Sequence, residues 1–195
     1  KGVDNRMEFP PAFTGKSWVN ENGSNSFMGR MHQVVTGLPN GVYKVGLAAY
    51  VSTLHLYNLT DSLEYVFAND SKKLLDSATP KLYHWFVNVT DGTLDIAQDS
   101  ILSNRTYIDN ASLTYFGNTL ASFQYMGQAS REEVNSLFGE GTTRTFTQSY
   151  FDAVNTIADE ISTSTTPEDA LAAYNRGLQA AAALYANANY YDRVD

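Results

Sequence analysis

The spacing of apolar residues changes near Gly117, and this change divides the chain into two parts of different structure. Up to Phe116, apolar residues recur at every second position in short runs separated by turn-forming residues, which is typical of half-buried strands. After Gly117 they recur at spacings of three and four, which is typical of helices. We therefore predict two domains, a β-sandwich over residues 1–117 and a helical module over residues 118–195.

The first part contains short strand-like runs with a turn roughly every ten residues, which favours an antiparallel sandwich over a parallel sheet. Asn40-Gly41 and Asp91-Gly92 each separate two such runs and predict β-hairpins. In the run 82–89, the period of two places Trp85 on the same face as two valines, so we assign it to the core. The predicted fold is an all-β, jelly-roll-like antiparallel β-sandwich. The runs are 34–35, 41–51, 63–68, 73–75, 82–89, 93–97 and 111–116.

Three helices are predicted in the second part. Ser130 opens a capping box with Glu133, so the first helix is expected to start there and to end at Gly139. The second covers about 147–162, and the third begins at Pro167 with Thr166 as its N-cap. The short link between these two predicts a C-terminal helical hairpin. The expected inner face of the third helix is Leu171, Tyr174, Leu178, Ala181 and Tyr185.

Composition excludes several classes of function. The 195 residues include no cysteine, which rules out disulfides, thiolate nucleophiles and cysteine-ligated metals. A net charge of −8 argues against a nucleic-acid partner. No apolar run approaches the roughly 20 residues of a membrane helix. Because the chain opens abruptly at Lys1-Gly2, we expect a mature form from which a targeting segment has been removed.

The sequence gives little support for catalysis. His32, His55 and His84 are about 25 residues apart and do not have the spacing of a metal-binding motif. The nucleophile elbow and the phosphate-binding loop are also missing from the sequence. We therefore expect a protein that is not an enzyme.

Three stretches carry a family resemblance. The first is a Leu-Pro-x-Gly-x-Tyr phrase entering a strand, within 32–45; the others are 90–96 and 108–115. Together they resemble the galactose-binding-domain-like β-sandwich modules of secreted and surface glycan-utilisation proteins of bacteria, which resemble carbohydrate-binding modules. The match covers about 18–117. The opening Asn-Pro-x-Phe-Glu strand of that family is missing, with Met7-Glu8-Phe9-Pro10 nearest to it. The helical part more weakly resembles the small helical modules found beside such domains.

The resemblance implies that sugar binds at a loop-bearing end of the sandwich, on aromatic rings and polar side chains. A pyranose presents C–H groups that pack on an aromatic ring, and hydroxyls that need fixed donors and acceptors. The candidate residues are Trp18, Asn20 and Asn22 in the polar loop before the first clear strand, and His55 and Tyr57 in the loop after Val51. The alternatives are a Trp18 folded back to cap the sandwich, and an ordinary packed loop around His55 and Tyr57.

No cofactor is expected apart from a possible structural calcium ion. Asp109, just before the last strand, is where family members often place a turn or a calcium ligand, and Asp4 or Glu8 could complete an oxygen-rich site. The alternative is an Asx turn that leads into the strand.

The sequence thus predicts non-catalytic binding of a polysaccharide or other glycan by an exported bacterial protein. The alternative is a structural spacer without a sugar ligand, in which the helical module binds a protein partner.

Overall fold

The computed structural model describes residues 2–4, 17–21, 27–52, 65–75, 80–103, 105–136 and 148–192. These residues form two antiparallel sheets and three helices. In chain order the elements are β1 (Gly2–Asp4), β2 (Ser17–Glu21), β3 (Phe27–Thr36), β4 (Gly41–Ser52), β5 (Tyr65–Ala68), β6 (Ser71–Leu74), β7 (Lys81–Val89), β8 (Thr93–Ser103), β9 (Arg105–Gly117), α1 (Leu120–Ser136), α2 (Gln148–Thr163) and α3 (Pro167–Asp192).

The strands are divided between a five-stranded and a four-stranded sheet. The first has the order β1-β2-β9-β4-β7 and the second the order β3-β8-β5-β6. One buried cluster draws on β4 and β7 from the first sheet and on β5 and β8 from the second, so the two sheets pack face to face. Its members are Tyr43, Val45, Leu47, Ala49, Val51, Val66, Ala68, Leu75, Tyr83, Trp85, Val87, Val89 and Leu94. The prediction that Trp85 belongs to the core is confirmed.

Both predicted Asn-Gly and Asp-Gly hairpins are wrong. The strands that flank Asn40-Gly41 are β3 and β4, and those that flank Asp91-Gly92 are β7 and β8; each pair is split between the two sheets. These turns therefore carry the chain across the sandwich. They lie side by side, because the Leu38 N–H donates to the Gly92 carbonyl oxygen at 3.1 Å. A true two-residue hairpin joins β5 to β6 through Asn69 and Asp70, where Asn69 has a φ of +51°.

The chain divides into two compact units, 1–39 with 43–114 and 40–42 with 115–195. The two predicted domains, 1–117 and 118–195, stay a prediction. In the second unit, α2 packs against both α1 and α3. Its buried residues are Val42, Ser122, Phe123, Met126, Val154, Ala158, Ile161, Ala170, Ala173 and Tyr174. No helix in the described ranges is long and apolar enough to cross a membrane.

The predicted starts of the second and third helices are confirmed, whereas that of the first is wrong. At α3, the Asp169 N–H donates to Oγ1 of Thr166 at 3.2 Å, as an N-cap requires. Ser130 instead lies inside α1, where its hydroxyl donates to the Met126 carbonyl oxygen. The helix is capped by Thr119, whose Oγ1 accepts from the Ser122 N–H at 3.3 Å.

The predicted inner face of α3 is rotated from the observed one. Ala170, Ala173 and Tyr174 are buried, whereas Leu171 and Leu178 are only partly covered. Small residues face the neighbouring helix because α2 approaches closely: a Cβ on Gly177 would be 3.1 Å from Cγ2 of Ile157. The side chain of Tyr185 is outside the part of the chain that the structure describes.

Candidate functional site

The outer face of the four-stranded sheet carries charged and aromatic side chains on all four strands. Along β8 and β5 the residues alternate, with Leu94 and Val66 in the core and their sequence neighbours on the opposite face. We call this opposite set the outer-face cluster: Arg30 and His32 on β3, Asp95 and Asp99 on β8, Tyr65 and Phe67 on β5, and Lys72 on β6.

Strand register aligns the cluster in rows across the sheet. Asp99 pairs with Arg30 on one side and with Tyr65 on the other. In the next row, Ala97 lies between His32 and Phe67. The small side chain of Ala97 is therefore surrounded by larger ones. The His32 imidazole and the Phe67 ring lie on the two neighbouring strands, and the carboxylates of Asp95 and Asp99 lie two residues before and after it on β8.

Arg30 bridges the two carboxylates of β8. Its Nη2 donates to Oδ2 of Asp95 at 3.3 Å, and its Nη1 donates to Oδ2 of Asp99 at 3.4 Å. The guanidinium therefore spans the position of Ala97, which is only 3% exposed. Arg30 itself is about half exposed and both contacts are long, so this ion pair contributes about 0–1 kcal/mol and is displaced at little cost.

His32 is oriented by Asp95. Its Nδ1 lies 3.1 Å from Oδ1 of that carboxylate, and its side chain is half exposed. A ring fixed through Nδ1 presents Nε2 to the outside. Within the described residues no hydroxyl group contacts the imidazole, so the pair does not complete a nucleophile–base–acid triad there.

Two cations lie over the aromatic rings. The Arg30 Cζ is 5.7 Å from the centroid of Phe67, and the Lys72 Nζ is 4.6 Å from that of Tyr65. Tyr65 is buried, whereas Phe67 remains partly exposed. Desolvation by burial lowers the pKa of Lys72 below its usual 10.5. Of the two rings, Phe67 is the one with surface left for a ligand.

This arrangement combines a flat apolar ring with fixed hydrogen-bonding groups. Arginine has five N–H donors, and carboxylates accept several hydrogen bonds each. Oδ1 of Asp99 is buried and has no hydrogen-bond partner within the described ranges. In the same part of the chain, no group of three or more His, Cys, Asp or Glu side chains could hold a metal ion. The cluster is thus suited to a polar, uncharged ligand with an apolar face.

Two of the five residues predicted to bind sugar lie in the other sheet. Trp18 and Asn20 are in β2, where Trp18 pairs with Val3 and with Ile108, so the polar loop expected around them is wrong. A loop was expected because the flanking residues are polar; backbone pairing with β9 overrides that pattern. Asn22, His55 and Tyr57 lie outside the described residues. Their role in binding stays a prediction.

Asp109, the predicted calcium ligand, lies within β9. Its Oδ1 accepts from the Asn110 N–H at 2.8 Å, and Asn110 has a φ of +51°. The carboxylate thus stabilises a local irregularity in the strand. Asp4 is described only as part of β1 and Glu8 is outside the described residues, so calcium binding stays a prediction.

The outer-face cluster was not identified from the sequence, although each of its strands shows the pattern. Arg30 and His32 are two apart, as are Tyr65 and Phe67, and Asp95 and Asp99 are four apart. Alternation shows that such residues share a face of their own strand. It does not show that β3, β8 and β5 are neighbours, because both pairings, β3 with β8 and β5 with β8, are between strands far apart in sequence.

Comparisons with known proteins give weak structural likenesses only. No protein-family profile matches the chain, and no curated protein does. A family 61 carbohydrate-binding module, solved in complex with β-1,4-galactotriose, is similar with a TM-score of 0.38 and 17% identity, over 52% of this chain and 72% of that one. A family 35 carbohydrate-binding module from Cellvibrio japonicus is similar with a TM-score of 0.30 and 10% identity, over 60% of this chain and 89% of that one.

Proposed function

We propose that this protein is a non-catalytic glycan-binding protein and that the outer-face cluster holds the sugar. The observation that supports this proposal is the register of three strands, which aligns the partly exposed Phe67 ring with His32, and Asp99 with Arg30. Stacking surface and hydrogen-bonding groups therefore lie on one face within two rows of the sheet.

A pyranose ring is complementary to this face. Its C–H face packs against the Phe67 ring, and neighbouring hydroxyls donate to the carboxylates of Asp95 and Asp99. Arg30 donates to the ring and hydroxyl oxygens in turn, and Nε2 of the neutral His32 ring accepts from a hydroxyl group. Because the sheet surface is shallow, little of the sugar is buried, and we expect a dissociation constant in the micromolar to millimolar range.

The finer expectations from the sequence belong to the same proposal. The sandwich is jelly-roll-like, and α2 with α3 forms a helical hairpin that serves as a spacer or docking surface. The protein is exported by a bacterium and acts on the cell surface, in the periplasm or outside the cell. The alternative location of the sugar is the set of residues that the sequence predicts for ligand binding: Trp18, Asn20, Asn22, His55 and Tyr57.

A second candidate function is that of a spacer which binds another protein through its helical unit. Exposed aromatic rings in that unit favour it. Tyr115, Phe116 and Tyr125 are 46%, 38% and 47% exposed, and the rings of Phe116 and Tyr125 stack at 5.0 Å. Exposed aromatic residues of this kind are enriched in protein interfaces.

The experiment that tests glycan binding is a glycan array followed by calorimetry on the best ligands. Phe67→Ala removes the stacking ring, and we expect it to weaken binding about 10-fold or more. Leu82→Ala is the control, because Leu82 is an exposed apolar residue on β7 of the other sheet. It should bind like the wild type.

Trp18→Ala separates the two possible locations. Binding that survives Phe67→Ala but is lost in Trp18→Ala would move the site to the region predicted from the sequence. If no glycan binds the wild-type protein at concentrations up to several millimolar, the glycan proposal fails. A protein partner whose binding depends on Phe116 and Tyr125 would then support the spacer function.

A further inference from the structure

A second polar surface lies on the other sheet and carries positive charge. On β7, His84 lies opposite to the buried Tyr83 and Trp85 and is exposed. The neighbouring strand β4 has Gly46 at this level, and β9 on its far side has Ser112. These three residues form the floor of the surface.

Gly46 allows the two polar groups to come together. A Cβ at this position would be 2.3 Å from Oγ of Ser112, and 3.1 and 3.3 Å from Cδ2 and Nε2 of His84. The hydroxyl and the imidazole therefore both lie against the backbone of Gly46, in space that any other residue would fill. One hydroxyl donor and one imidazole nitrogen thus face the same small region.

One lysine shares the face of this region, and a second acts on its imidazole from the neighbouring strand β6. Lys44 precedes Gly46 by two residues, so it lies on the same face of β4. Lys73 comes from β6, which lies beside β7 because Oγ of Ser71 donates to the Phe86 carbonyl oxygen at 2.7 Å. Desolvation by burial lowers the pKa of His84 below 6.5, and repulsion from Lys44 and Lys73 lowers it further. Among the described residues, the charged groups that shift the pKa of His84 are thus two cations.

We propose that Lys44, Lys73, His84 and Ser112 bind an oxyanion, either a sulfate or a carboxylate group. Two ammonium groups, a protonated imidazole and a hydroxyl all donate hydrogen bonds to anionic oxygens. The chain as a whole carries a net charge of −8, whereas this region has two lysines from two strands and an imidazole that becomes a third cation when it is protonated. An anion offsets the repulsion that these side chains exert on one another.

This inference does not depend on the glycan proposal. The outer-face cluster lies on the four-stranded sheet, whereas His84, Lys44 and Ser112 belong to strands of the five-stranded sheet. Either proposal can therefore be wrong while the other is right. The oxyanion has two possible sources, an acidic sugar unit of a glycan or a free ion in solution.

The test is an NMR titration of the His84 imidazole in the full chain. The pKa of His84 is measured in sodium chloride and in sodium sulfate at equal ionic strength. A bound anion favours the protonated ring, so sulfate should raise the pKa by about one unit relative to chloride. In the Lys44→Gln, Lys73→Gln double variant the sulfate-dependent rise should disappear, while the chloride value should increase because the repulsion is gone.

Lys81→Gln is the control, because the Lys81 ammonium lies over the ring of Tyr83 and does not act on His84. It should keep the sulfate effect. An oligogalacturonate at the same carboxylate concentration then distinguishes the sources: a larger rise than with acetate assigns the site to acidic glycans, and an equal rise assigns it to free anions. Equal His84 pKa values in sulfate and chloride would overturn the proposal, as would a sulfate effect that persists in the double variant.

Discussion

Gly127 of α1 lies directly against Ile161 of α2. A Cβ on Gly127 would be 2.5 Å from Cγ2 of Ile161 and 3.0 Å from the backbone nitrogen of Ser162, closer than packed atoms allow. Because one of these neighbours is backbone, the crossing of the two helices depends on having no side chain at position 127.

We therefore expect Gly127→Ala to destabilise the helical unit. Overpacking costs about 1–3 kcal/mol, which outweighs the gain of about 1 kcal/mol in helix propensity. Gly177→Ala is the matched control, since its Cβ would meet only Cγ2 of Ile157 at 3.1 Å. That variant should be neutral or slightly stabilising. Urea unfolding followed by helical circular dichroism measures both, and equal effects of the two variants would contradict the packing argument.

A second prediction concerns Asn69, whose side chain joins the β5–β6 turn to β8. Its Oδ1 accepts from the Asp95 N–H at 2.9 Å, and its Nδ2 donates to the Thr93 carbonyl oxygen at 3.0 Å. Asn69→Gly keeps the positive φ but loses both hydrogen bonds, and should cost about 1–3 kcal/mol. Asn69→Ala adds about 1 kcal/mol of strain in the left-handed region.

Unfolding of the sandwich, followed by near-ultraviolet circular dichroism of its buried aromatic rings, gives the two free energies. The order of stability should be wild type, then Asn69→Gly, then Asn69→Ala. If the alanine variant is as stable as the glycine variant or more so, the positive φ contributes nothing and the prediction is wrong.

A third prediction compares two tyrosine hydroxyls that bind consecutive carbonyl oxygens. Tyr43 is buried and donates to the Pro39 oxygen at 2.7 Å, whereas Tyr115 is half exposed and donates to the Asn40 oxygen at 3.0 Å. Tyr43→Phe should lower the free energy of unfolding by about 1 kcal/mol. Tyr115→Phe should change it by less than about 0.5 kcal/mol, because water replaces the lost partner.

Both variants keep the aromatic ring, so a difference between them reports the hydrogen bond and not packing. Melting temperatures and urea midpoints of the two variants provide the measurement. A larger loss in Tyr115→Phe than in Tyr43→Phe would contradict the dependence on burial.

Local sequence signals predicted those parts of the structure that depend on neighbours in the chain. The alternation in β7 identified Trp85 as a core residue, and Thr166 followed by Pro167 marked the start of α3. Each of these features is decided within a few residues. A strand face and a helix cap need no information about the rest of the molecule.

The errors arose where distant parts of the chain decide the outcome. Asn40-Gly41 has the chemistry of a hairpin turn, yet β4 pairs with β9 and β7 and not with β3. Turn residues permit a reversal of the chain but do not select the strand that pairs. Ser130 fits a capping box, but the helix had already begun at Leu120. The outer-face cluster was missed for the same reason, since its rows exist only through the order β3-β8-β5-β6.

The last prediction is a pH dependence of stability that comes from His84. Desolvation, with repulsion from Lys44 and Lys73, lowers the pKa of the folded-state imidazole below 6.5. The unfolded chain therefore binds a proton at a higher pH than the folded one, and stability falls as the pH decreases below about 6.5. The loss continues until the pH reaches the folded-state pKa and then levels off.

His84→Gln removes this contribution while keeping a polar side chain on β7. When the pH is lowered from 7.5 to 5, the melting temperature of the wild type should therefore fall more than that of His84→Gln. Lys44→Gln keeps the histidine but reduces the repulsion, so its pH dependence should lie between the two. A constant difference between His84→Gln and the wild type over this range would mean that His84 titrates alike in the folded and unfolded chains, and would remove the electrostatic coupling on which the oxyanion site also relies.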